Sequence, residues 1–322
     1  MARTIVGVLR GGTSGEYHLS LKTGAAILAA LSEEKYEPRD ILIDKSGTWH
    51  IRGIPMPPAR ILAQVDVVLN GLHGGIGEDG TVQRLLELHG ARYAGSRPSS
   101  IVRAGNKARA LETLRAAGIL MPRSMSFNVE NNGTTGDMAR TVFSDFGPPY
   151  IVKPTSEGSS RGIRIARSIV ELPDVLADVL DVYGSALVQE FLRGEDARVG
   201  VIEGFRGEPL YALPPAHMLK PEGKAFIDEE TRQAGLVRHV VPSNFSVDEK
   251  YALIDAARRA HRALELSHFS RADFVLARGK PYLLEVSTLP GLYEGAAFPQ
   301  MLEAVGSSVP EFLEHIIALA RN

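Results

Sequence analysis

The chain has no cysteine among its 322 residues, which excludes disulfide bonds, thiolate nucleophiles and zinc or iron–sulfur sites built on cysteine. It also has almost no excess of charge, because 36 Lys and Arg residues face 38 Asp and Glu residues, a formal net charge of −2. So balanced a chain has no general attraction to a polyanion, and we predict no nucleic-acid partner. No apolar run approaches the roughly 20 residues that span a bilayer, so we predict no membrane partner.

The first residues also lack the features of an export signal. They read MARTIVGVLRGG, with one early arginine, a short apolar run that ends at Arg10, and no small-residue cleavage site. This pattern is typical of a first β-strand, and we expect a cytoplasmic protein. Hydrophobic residues make up 44% of the chain and charged residues 23%, as in an ordinary globular enzyme rather than a disordered chain.

Strand and helix patterns alternate over the first third of the chain, which is typical of a small parallel α/β domain. The predicted strands are residues 4–10 and 65–70, and the predicted helices start near Ser20 and cover 81–88. The first helix has apolar residues at helical spacing, namely Leu21, Ala25, Leu28 and Leu31. We predict that this domain ends at residue 96, just before Arg97-Pro98-Ser99-Ser100.

The rest of the chain predicts two further domains, at residues 97–193 and 194–322. The middle one has a helix over 106–117, a polar loop over 128–137, and strands at 150–153, 163–167 and 186–192. In the last one, Ser246 and Glu249 form the capping-box pattern at the start of a helix over 247–266. Ser308 and Glu311 repeat that pattern before a terminal helix.

One motif in the first domain imitates a dinucleotide-binding loop. Residues 75–80 match G-x-G-x-x-G and lie between a strand and a helix. However, Glu78 and Asp79 would place negative charge where a pyrophosphate should meet the helix. The next strand also ends without a carboxylate for a ribose hydroxyl. A nicotinamide or flavin site is therefore not predicted, and the absence of a Walker A pattern excludes a P-loop site.

Two stretches near the C-terminus predict a β-hairpin with a polar face. Residues 270–277 and 282–288 flank Arg278-Gly279-Lys280, and a three-residue loop would pair Ala277 with Pro281. Asp273 would then oppose Glu285 on the face that also carries Arg271 and Ser287. Two opposed carboxylates favour a cation between them, and Mg²⁺ with nucleotide phosphates is the natural candidate. The alternative is a solvated polar face on which Arg271 pairs with Asp273.

Three loops add candidate ligand-binding groups. Residues 151–162 place Lys153 before a Gly/Ser loop whose backbone N–H groups could wrap phosphate oxygens, although an exposed hairpin lysine is the alternative. Residues 11–21 and 71–83 follow parallel strands at the sheet edge where α/β proteins bind ligands, which would bring Glu16 and His73 into one crevice. A helix-start carboxylate and a structural histidine are the corresponding alternatives.

Four stretches of the chain, taken in order, resemble the D-alanine–D-alanine ligase family of ATP-grasp enzymes. They are GGTSGE, HGGIGEDG, KPTSEGSS and the D…E-x-S pattern before LPG. The resemblance implies an α/β fold with the three-domain ATP-grasp architecture, in which ATP lies between the central and C-terminal domains. It implies ATP- and magnesium-dependent ligation of two D-alanines through an acyl phosphate, giving D-alanyl-D-alanine for peptidoglycan. It further implies two Mg²⁺ ions, replaceable by Mn²⁺, and a homodimer.

The resemblance also assigns roles by position. Glu16 matches the carboxylate that holds the first substrate's ammonium, and His73 the histidine near its carboxylate. Ser159 matches the serine linked to Glu16, while Arg271 and the Gly291 N–H match the oxyanion-stabilising groups. The matches to ATP-binding residues are Lys107, Lys153, Ser160, Gln189, Glu190, Leu192 and Asp196. The matches to metal ligands are Asp273, Glu285 and Ser287.

The sequence departs from the family at four places. Ser287 stands where Asn is usual, and Asp196 where Glu is usual. Arg232 and Gln233 occupy the position of a Lys-Tyr pair in a mobile lid, and Ala296-Ala297 replace the residues that hold the second substrate's carboxylate. These changes leave two alternatives open: a ligase with another acceptor, such as D-lactate, D-serine or another amino acid, and a nucleotide-binding paralogue without turnover.

Overall fold

A computed structural model of the protein describes residues 3–130, 133–155, 158, 161–222 and 237–321. Within these ranges the helices are α1 (Tyr17–Ala30), α2 (Pro58–Leu62), α3 (Thr81–Leu88), α4 (Pro98–Gly105), α5 (Lys107–Ala116), α6 (Thr135–Asp145), α7 (Leu172–Tyr183), α8 (Val247–Ala263), α9 (Ala297–Glu303) and α10 (Val309–Arg321). None of these helices is long and apolar enough to cross a membrane.

The strands in the same ranges are β1 (Thr4–Gly11), β2 (Tyr36–Ile43), β3 (Trp49–Ile51), β4 (Ile54–Pro55), β5 (Val67–Asn70), β6 (Tyr93–Ala94), β7 (Ser124–Asn128), β8 (Tyr150–Lys153), β9 (Arg164–Ala166), β10 (Ser185–Glu190), β11 (Glu195–Glu203), β12 (Leu210–Ala212), β13 (Ala216–Leu219), β14 (Arg238–Val240), β15 (Phe269–Ala277) and β16 (Lys280–Ser287). They form three sheets, so the predicted α/β fold class is confirmed.

The first sheet has the strand order β4-β3-β2-β1-β5-β6. Its centre is parallel, as predicted, because β1 pairs in parallel with β2 and β5, and β5 pairs in parallel with β6. The antiparallel edge formed by β3 and β4 was not predicted from the sequence. Helix α3 covers the residues predicted for it, and strands β1 and β5 lie within a residue or two of their predicted ranges.

Helix α1 buries only part of the face that its apolar residues predict. Leu31, directly after the helix, is buried, and Leu28 packs against the same core, but Ala25 is exposed and Leu21 is only half-buried. The buried residues within the helix are Ser20, Thr23, Gly24 and Ile27. Small residues are buried here because the helix lies very close to the sheet, where they fit better than leucine.

Contacts of two glycines and a serine show how closely α1 approaches the first sheet. A Cβ atom on Gly24 would lie 2.5 Å from the Cβ of Arg10, and one on Gly71 would lie 3.3 Å from the Cα of Gly24. The Ser20 hydroxyl accepts a hydrogen bond from the Gly11 N–H at 2.8 Å and donates one to the Gly71 carbonyl at 2.9 Å. These contacts hold the ends of β1 and β5 side by side, and the two polar loops of the first domain start there.

The second sheet is antiparallel, in the order β7-β10-β8-β9, and helices α6 and α7 share its core. The predicted strands at 150–153 and 163–167 correspond to β8 and β9. Strand β10 ends at Glu190, so Phe191 and Leu192 lie beyond it, contrary to the prediction. Helix α6 begins at Thr135, inside the stretch predicted as a loop, because Thr134 and Asp137 form a capping box.

The third sheet has the order β14-β13-β11-β15-β16, with β12 on β11, and every pairing is antiparallel. Helix α8 packs on it and starts with the predicted capping box, in which Ser246 and Glu249 each bond the other's backbone N–H. In the terminal helix the Glu311 N–H donates to Ser308, but the Glu311 carboxylate accepts from Ser307.

Residues from the first and third predicted domains meet in one core. Val6 and Ile27 from the first sheet and its helix share a buried cluster with Phe269 and Phe298 from the C-terminal part. Phe312 of α10 lies in that cluster and stacks edge-on against Phe269, with ring centroids 5.3 Å apart. The terminal helix therefore joins the first sheet to the third, and the bounds of the predicted domains stay a prediction.

Helices α4 and α5 pack against the third sheet rather than the second. Ala104, Ala110 and Leu114 lie in the core that contains β11, β15 and α8. The tetrapeptide from Arg97 to Ser100 is not an open linker, because Pro98 begins α4. Pro at the first turn of a helix is compatible with helix geometry, so a sequence that indicates a boundary also permits a helix start.

Candidate active site

The β15–β16 hairpin has the predicted face but a different turn. Arg278 and Gly279 form a two-residue turn with φ values of +52° and +71°, so Ala277 pairs with Lys280 and not with Pro281. A register shift between Asp273 and Phe274 then restores the predicted pairing, so that Asp273 lies opposite Glu285, and Arg271 lies opposite Ser287. A bulge contributes one extra residue to a strand, which offsets the shorter turn.

Asp273 is buried between two arginines. Arg271 binds it bidentately, with Nε 2.6 Å from Oδ1 and Nη2 2.9 Å from Oδ2. Arg198, which lies opposite Asp273 on β11, brings its Nε within 3.3 Å of Oδ2. The ion pair between Arg271 and Asp273 is the one expected for the non-metal alternative, whereas no sequence pattern indicates the contact of Arg198.

Two lysines approach this face from the neighbouring elements. Lys107, at the start of α5, brings its Nζ to 4.0 Å from Glu285 Oε2. Lys153, at the end of β8, is 6% exposed and donates to Gln189 Oε1 at 3.0 Å, so the exposed-lysine alternative is wrong. Burial, together with the positive charge of Lys107, lowers the pKa of Lys153 to about 8. The two ammonium groups make a positive region beside Glu285.

The residues matched to adenine and ribose binding line the end of β10 and the start of β11. Gln189 is buried, and its Nε2 has no hydrogen-bond partner within the part of the chain that the structure describes. Glu190 accepts from the backbone and side chain of Arg123 at 3.3 and 3.2 Å. Leu192 is half-buried. Asp196 lies 3.4 Å from the Nζ of Lys220.

Glu16 lies where the loops of the first domain meet the Gly/Ser loop that follows β8. It is the residue directly before α1, as the helix-start alternative requires, although its side chain makes no capping hydrogen bond to the first turn of that helix. A Cβ atom on Gly158 would lie 3.0 Å from Glu16 Oε1. The Arg161 guanidinium packs against Gly15, the preceding residue. Ser159 and Ser160, which the resemblance places here, lie outside the described residues, as do Arg232 and Gln233.

His73 is buried under the same loops. Its Nε2 and the Thr23 hydroxyl are joined by a hydrogen bond of 2.7 Å. Burial, and then the positive charge of Arg271, lower the pKa of His73 to about 4, so its ring is neutral at neutral pH. The Ser14 hydroxyl donates to the His73 carbonyl at 2.6 Å, which links the two loops that carry Glu16 and His73.

Glu78 is a further residue of this site, although its position in the sequence indicates only that it would repel a bound pyrophosphate. Its Oε2 accepts from the Gly74 N–H at 2.8 Å. Burial, and then the negative charge of Glu16, raise the pKa of Glu78 to about 7. The neighbouring Asp79 accepts from the Thr81 N–H at 2.7 Å and so occupies the start of α3. Both acidic side chains therefore take the positions that a pyrophosphate would need.

Gly291 lies in the buried stretch after β16. Its Cα is covered by the ring of Tyr293, since a Cβ atom there would lie 2.5 Å from Tyr293 Cε1. Ala296 and Ala297, which the resemblance places at the second substrate, are both buried at the start of α9, and the Ala296 N–H donates to the Tyr293 carbonyl at 3.1 Å. Neither alanine offers a polar side chain.

The donor set fits a divalent cation in part. Glu285 and Ser287 lie on one face of β16 and offer oxygen atoms, which Mg²⁺ prefers. Both oxygens of Asp273, however, already contact guanidinium groups. No cluster of three or more His, Asp or Glu side chains suited to a metal occurs among the residues that the structure describes. The arrangement suits a cation that arrives with nucleotide phosphates, which complete its ligands.

The chain resembles known ligases over nearly its full length. Residues 53–96 match the family described as D-ala D-ala ligase N-terminus, and residues 113–318 match D-ala D-ala ligase C-terminus. It is 34% identical to a D-alanine--D-alanine ligase of Geobacter sulfurreducens, covering 98% of this chain and 94% of that one. It is 33% identical to the D-alanine--D-alanine ligase of Desulforudis audaxviator, covering 98% of each chain.

A solved structure agrees with these relatives. The D-alanine--D-alanine ligase of Bacillus anthracis complexed with ATP is 25% identical and superposes with a TM-score of 0.80, covering 98% of this chain and 97% of that one. Both family matches, the two relatives and the ATP-complexed structure agree with the resemblance found in the sequence. The chain therefore belongs to the D-alanine–D-alanine ligase family, whose members are ATP-dependent ligases.

Proposed function

We propose that this protein joins two D-alanines at the expense of ATP, through an acyl phosphate, and so supplies D-alanyl-D-alanine for peptidoglycan. The observation that carries the proposal is the approach of two lysines to the polar face of the β15–β16 hairpin. Lys107 Nζ lies 4.0 Å from Glu285 Oε2, and the charges of Lys107 and Glu285 both act on the buried Lys153. Lysines beside a carboxylate suit a magnesium nucleotide, because they bind phosphate oxygens while the carboxylate binds the cation. A cytoplasmic homodimer belongs to the same proposal.

The first step forms the acyl phosphate. Glu16 binds the ammonium of the first D-alanine, and a carboxylate oxygen of that substrate attacks the γ-phosphorus while the bond to the β-phosphate oxygen breaks and ADP leaves. Lys107 and Lys153 hold the phosphates. The buried amide N–H of Gln189, which has no partner in the described chain, is the donor that we assign to the adenine. Magnesium at Glu285 and Ser287, when bound, would offset phosphate charge.

The second step transfers the acyl group. The neutral amine of the second D-alanine attacks the carbonyl carbon, and the tetrahedral intermediate collapses by breaking the bond to the phosphate oxygen. Inorganic phosphate leaves with the proton that the amine nitrogen loses as the peptide bond forms. Arg271 and the Gly291 N–H stabilise the oxyanion of that intermediate, a contribution of about 3 kcal/mol for a well-placed donor. Asp273 holds the Arg271 guanidinium in two hydrogen bonds, so its orientation is fixed before the substrate binds.

The acceptor pocket favours a second candidate. Ala296 and Ala297 present no side-chain hydroxyl or charge to an acceptor carboxylate, and both are buried. A pocket that lacks polar partners discriminates weakly between acceptors of similar size. The same chemistry with D-lactate, D-serine or another amino acid as the acceptor is therefore the alternative.

Phosphate release from ATP tests the proposal, with D-alanine alone and with D-alanine plus each other acceptor, with and without Mg²⁺. We expect release that needs Mg²⁺ and D-alanine, and the preferred acceptor decides between the two candidates. Glu16→Gln should raise the KM for the first amino acid by at least about tenfold, which corresponds to about 1.4 kcal/mol, and the KM for ATP far less. Absence of phosphate release with every acceptor would contradict the proposed function.

A further inference from the structure

An arginine occupies the centre of the face on which the metal ligands were predicted. Arg198 is 5% exposed and lies on β11, directly opposite Asp273 on β15. Its Nε is 3.3 Å from Asp273 Oδ2, and its Nη1 is 3.2 Å from the Nε2 of His239 on β14. Both contacts fix the guanidinium in place on the side of the sheet that carries Arg271, Glu285 and Ser287.

The charges around Asp273 do not favour a second dication. Among the described residues, the two guanidinium groups and the Asp273 carboxylate that they contact sum to a charge of +1, and guanidinium stays protonated even when buried. A metal ion bound to Asp273 would have to displace a guanidinium from its oxygens and then lie beside two positive groups in a poorly solvated site. Ser287 adds no negative charge on the neighbouring strand, so Glu285 is the remaining carboxylate for a cation on this hairpin face.

We propose that Arg198 takes the place of one of the two divalent cations expected for the site. The nucleotide complex then holds a single ion, at Glu285, while Arg198 supplies the second positive charge toward the phosphates. The inference rests on the proposed function, because it requires a magnesium nucleotide on this face. Asp273 becomes the carboxylate that holds Arg198 and Arg271 in position rather than a metal ligand.

Manganese binding tests this inference without any turnover. Electron paramagnetic resonance would count Mn²⁺ ions bound to the full-length protein saturated with a non-hydrolysable ATP analogue. We expect one ion for each wild-type chain and no spectrum of two coupled ions. Arg198→Met should bind two ions and show such coupling, whereas Arg198→Lys, which keeps the charge, should bind one. Arg258→Met is the matched control, because Arg258 pairs with Glu208 at 2.9 Å and belongs to α8.

A second pair of variants tests the roles of the carboxylates. Asp273→Asn should change the dissociation constant of the single Mn²⁺ by less than threefold, and Glu285→Gln should raise it at least tenfold. Two coupled ions in the wild-type protein, or equal weakening by both substitutions, would overturn the inference while leaving the ligase function intact. Failure of the ATP analogue to bind would instead count against the proposed function itself, and the inference would fall with it.

Discussion

The carboxyl group of Glu78 links the stability of the folded protein to pH. In the folded protein its pKa is raised from the ordinary value of 4.5 to about 7, first by burial and then by the negative charge of Glu16. A raised acid pKa means that the folded state binds this proton more tightly than the unfolded state does. The contribution of Glu78 to the free energy of unfolding is therefore fully present below about pH 4.5 and is lost as the pH rises through about 7.

Replacing Glu78 with Gln should therefore stabilise the protein above neutral pH. Gln keeps an oxygen that can accept from the Gly74 N–H but carries no charge. We expect the unfolding free energy of Glu78→Gln to exceed that of the wild type by about 1–2 kcal/mol at pH 8, with little difference at pH 5. Urea unfolding across this range measures the difference.

The neighbouring surface residue provides the control for that measurement. Asp79→Asn removes an exposed carboxylate one position away, so urea unfolding of this variant at pH 5 and pH 8 shows what the loss of a surface charge alone does. A Glu78→Gln difference that stays constant with pH would contradict the role assigned to the buried carboxyl.

Sequence patterns identified the charged residues of the β15–β16 hairpin but not the arginine that contacts them from the neighbouring strand β11. Asp273 and Glu285 were predicted to be opposed because alternation along two strands depends on local chemistry alone. Arg198 was missed because its contact with Asp273 needs the pairing of β11 with β15, which are about 70 residues apart and whose register no local pattern specifies. The only local signal was an arginine inside the otherwise apolar strand ARVGVI.

At the scale of elements, the position of α1 depends on a glycine. Two effects oppose each other in Gly24→Ala. Helix propensity alone favours Ala by about 1 kcal/mol in a helix interior. The added Cβ, however, would lie 2.5 Å from Arg10 Cβ, an atom fixed by the backbone of β1, so the helix must move away from the sheet. Overpacking of this kind costs about 1–3 kcal/mol, so the steric effect wins.

We therefore expect Gly24→Ala to lower the free energy of unfolding in urea by about 1–2 kcal/mol. It should also raise the KM for the amino acid, because α1 begins next to Glu16. The exposed neighbour gives a matched comparison, since Ala25→Gly should cost about 1 kcal/mol through propensity and leave the KM unchanged. A stabilised Gly24→Ala variant would show that the helix can shift freely.

The elements themselves were predicted best where local chemistry decides. The capping box of Ser246 and Glu249 gave the start of α8, and apolar runs gave β1 and β5. The buried face of α1 was predicted only in part, because hydrophobic spacing does not report how closely a helix approaches a sheet. The turn at Arg278-Gly279 was predicted one residue too long, because a turn and a bulge can compensate each other in register.

At the scale of the whole molecule, the shared core predicts which parts unfold together. Phe312 is fully buried between residues of the first sheet and residues of the C-terminal part. Phe312→Ala should cost about 3–5 kcal/mol by leaving a cavity. Hydrogen exchange should show lost protection in β1, β5 and β15 together, with little change in β8 and β10, which have a separate core.

Phe146→Ala is the reciprocal variant, because Phe146 is buried in the core of the second sheet. It should expose the amides of β8 and β10 and spare those of β1 and β15. Equal loss of protection in all three sheets with either variant would contradict the division into one joint core and one separate core.

The joint core also determines how the molecule can open for a substrate as large as a nucleotide. Since α10 ties the first and third sheets into one block, those two cannot separate without exposing aromatic side chains such as Phe298 and Phe312 to water. The second sheet carries Lys153 and Gln189 and has its own core, so we expect it to swing as one lobe when a nucleotide enters or leaves. The loops that carry Glu16 and His73 should stay fixed to the joint core.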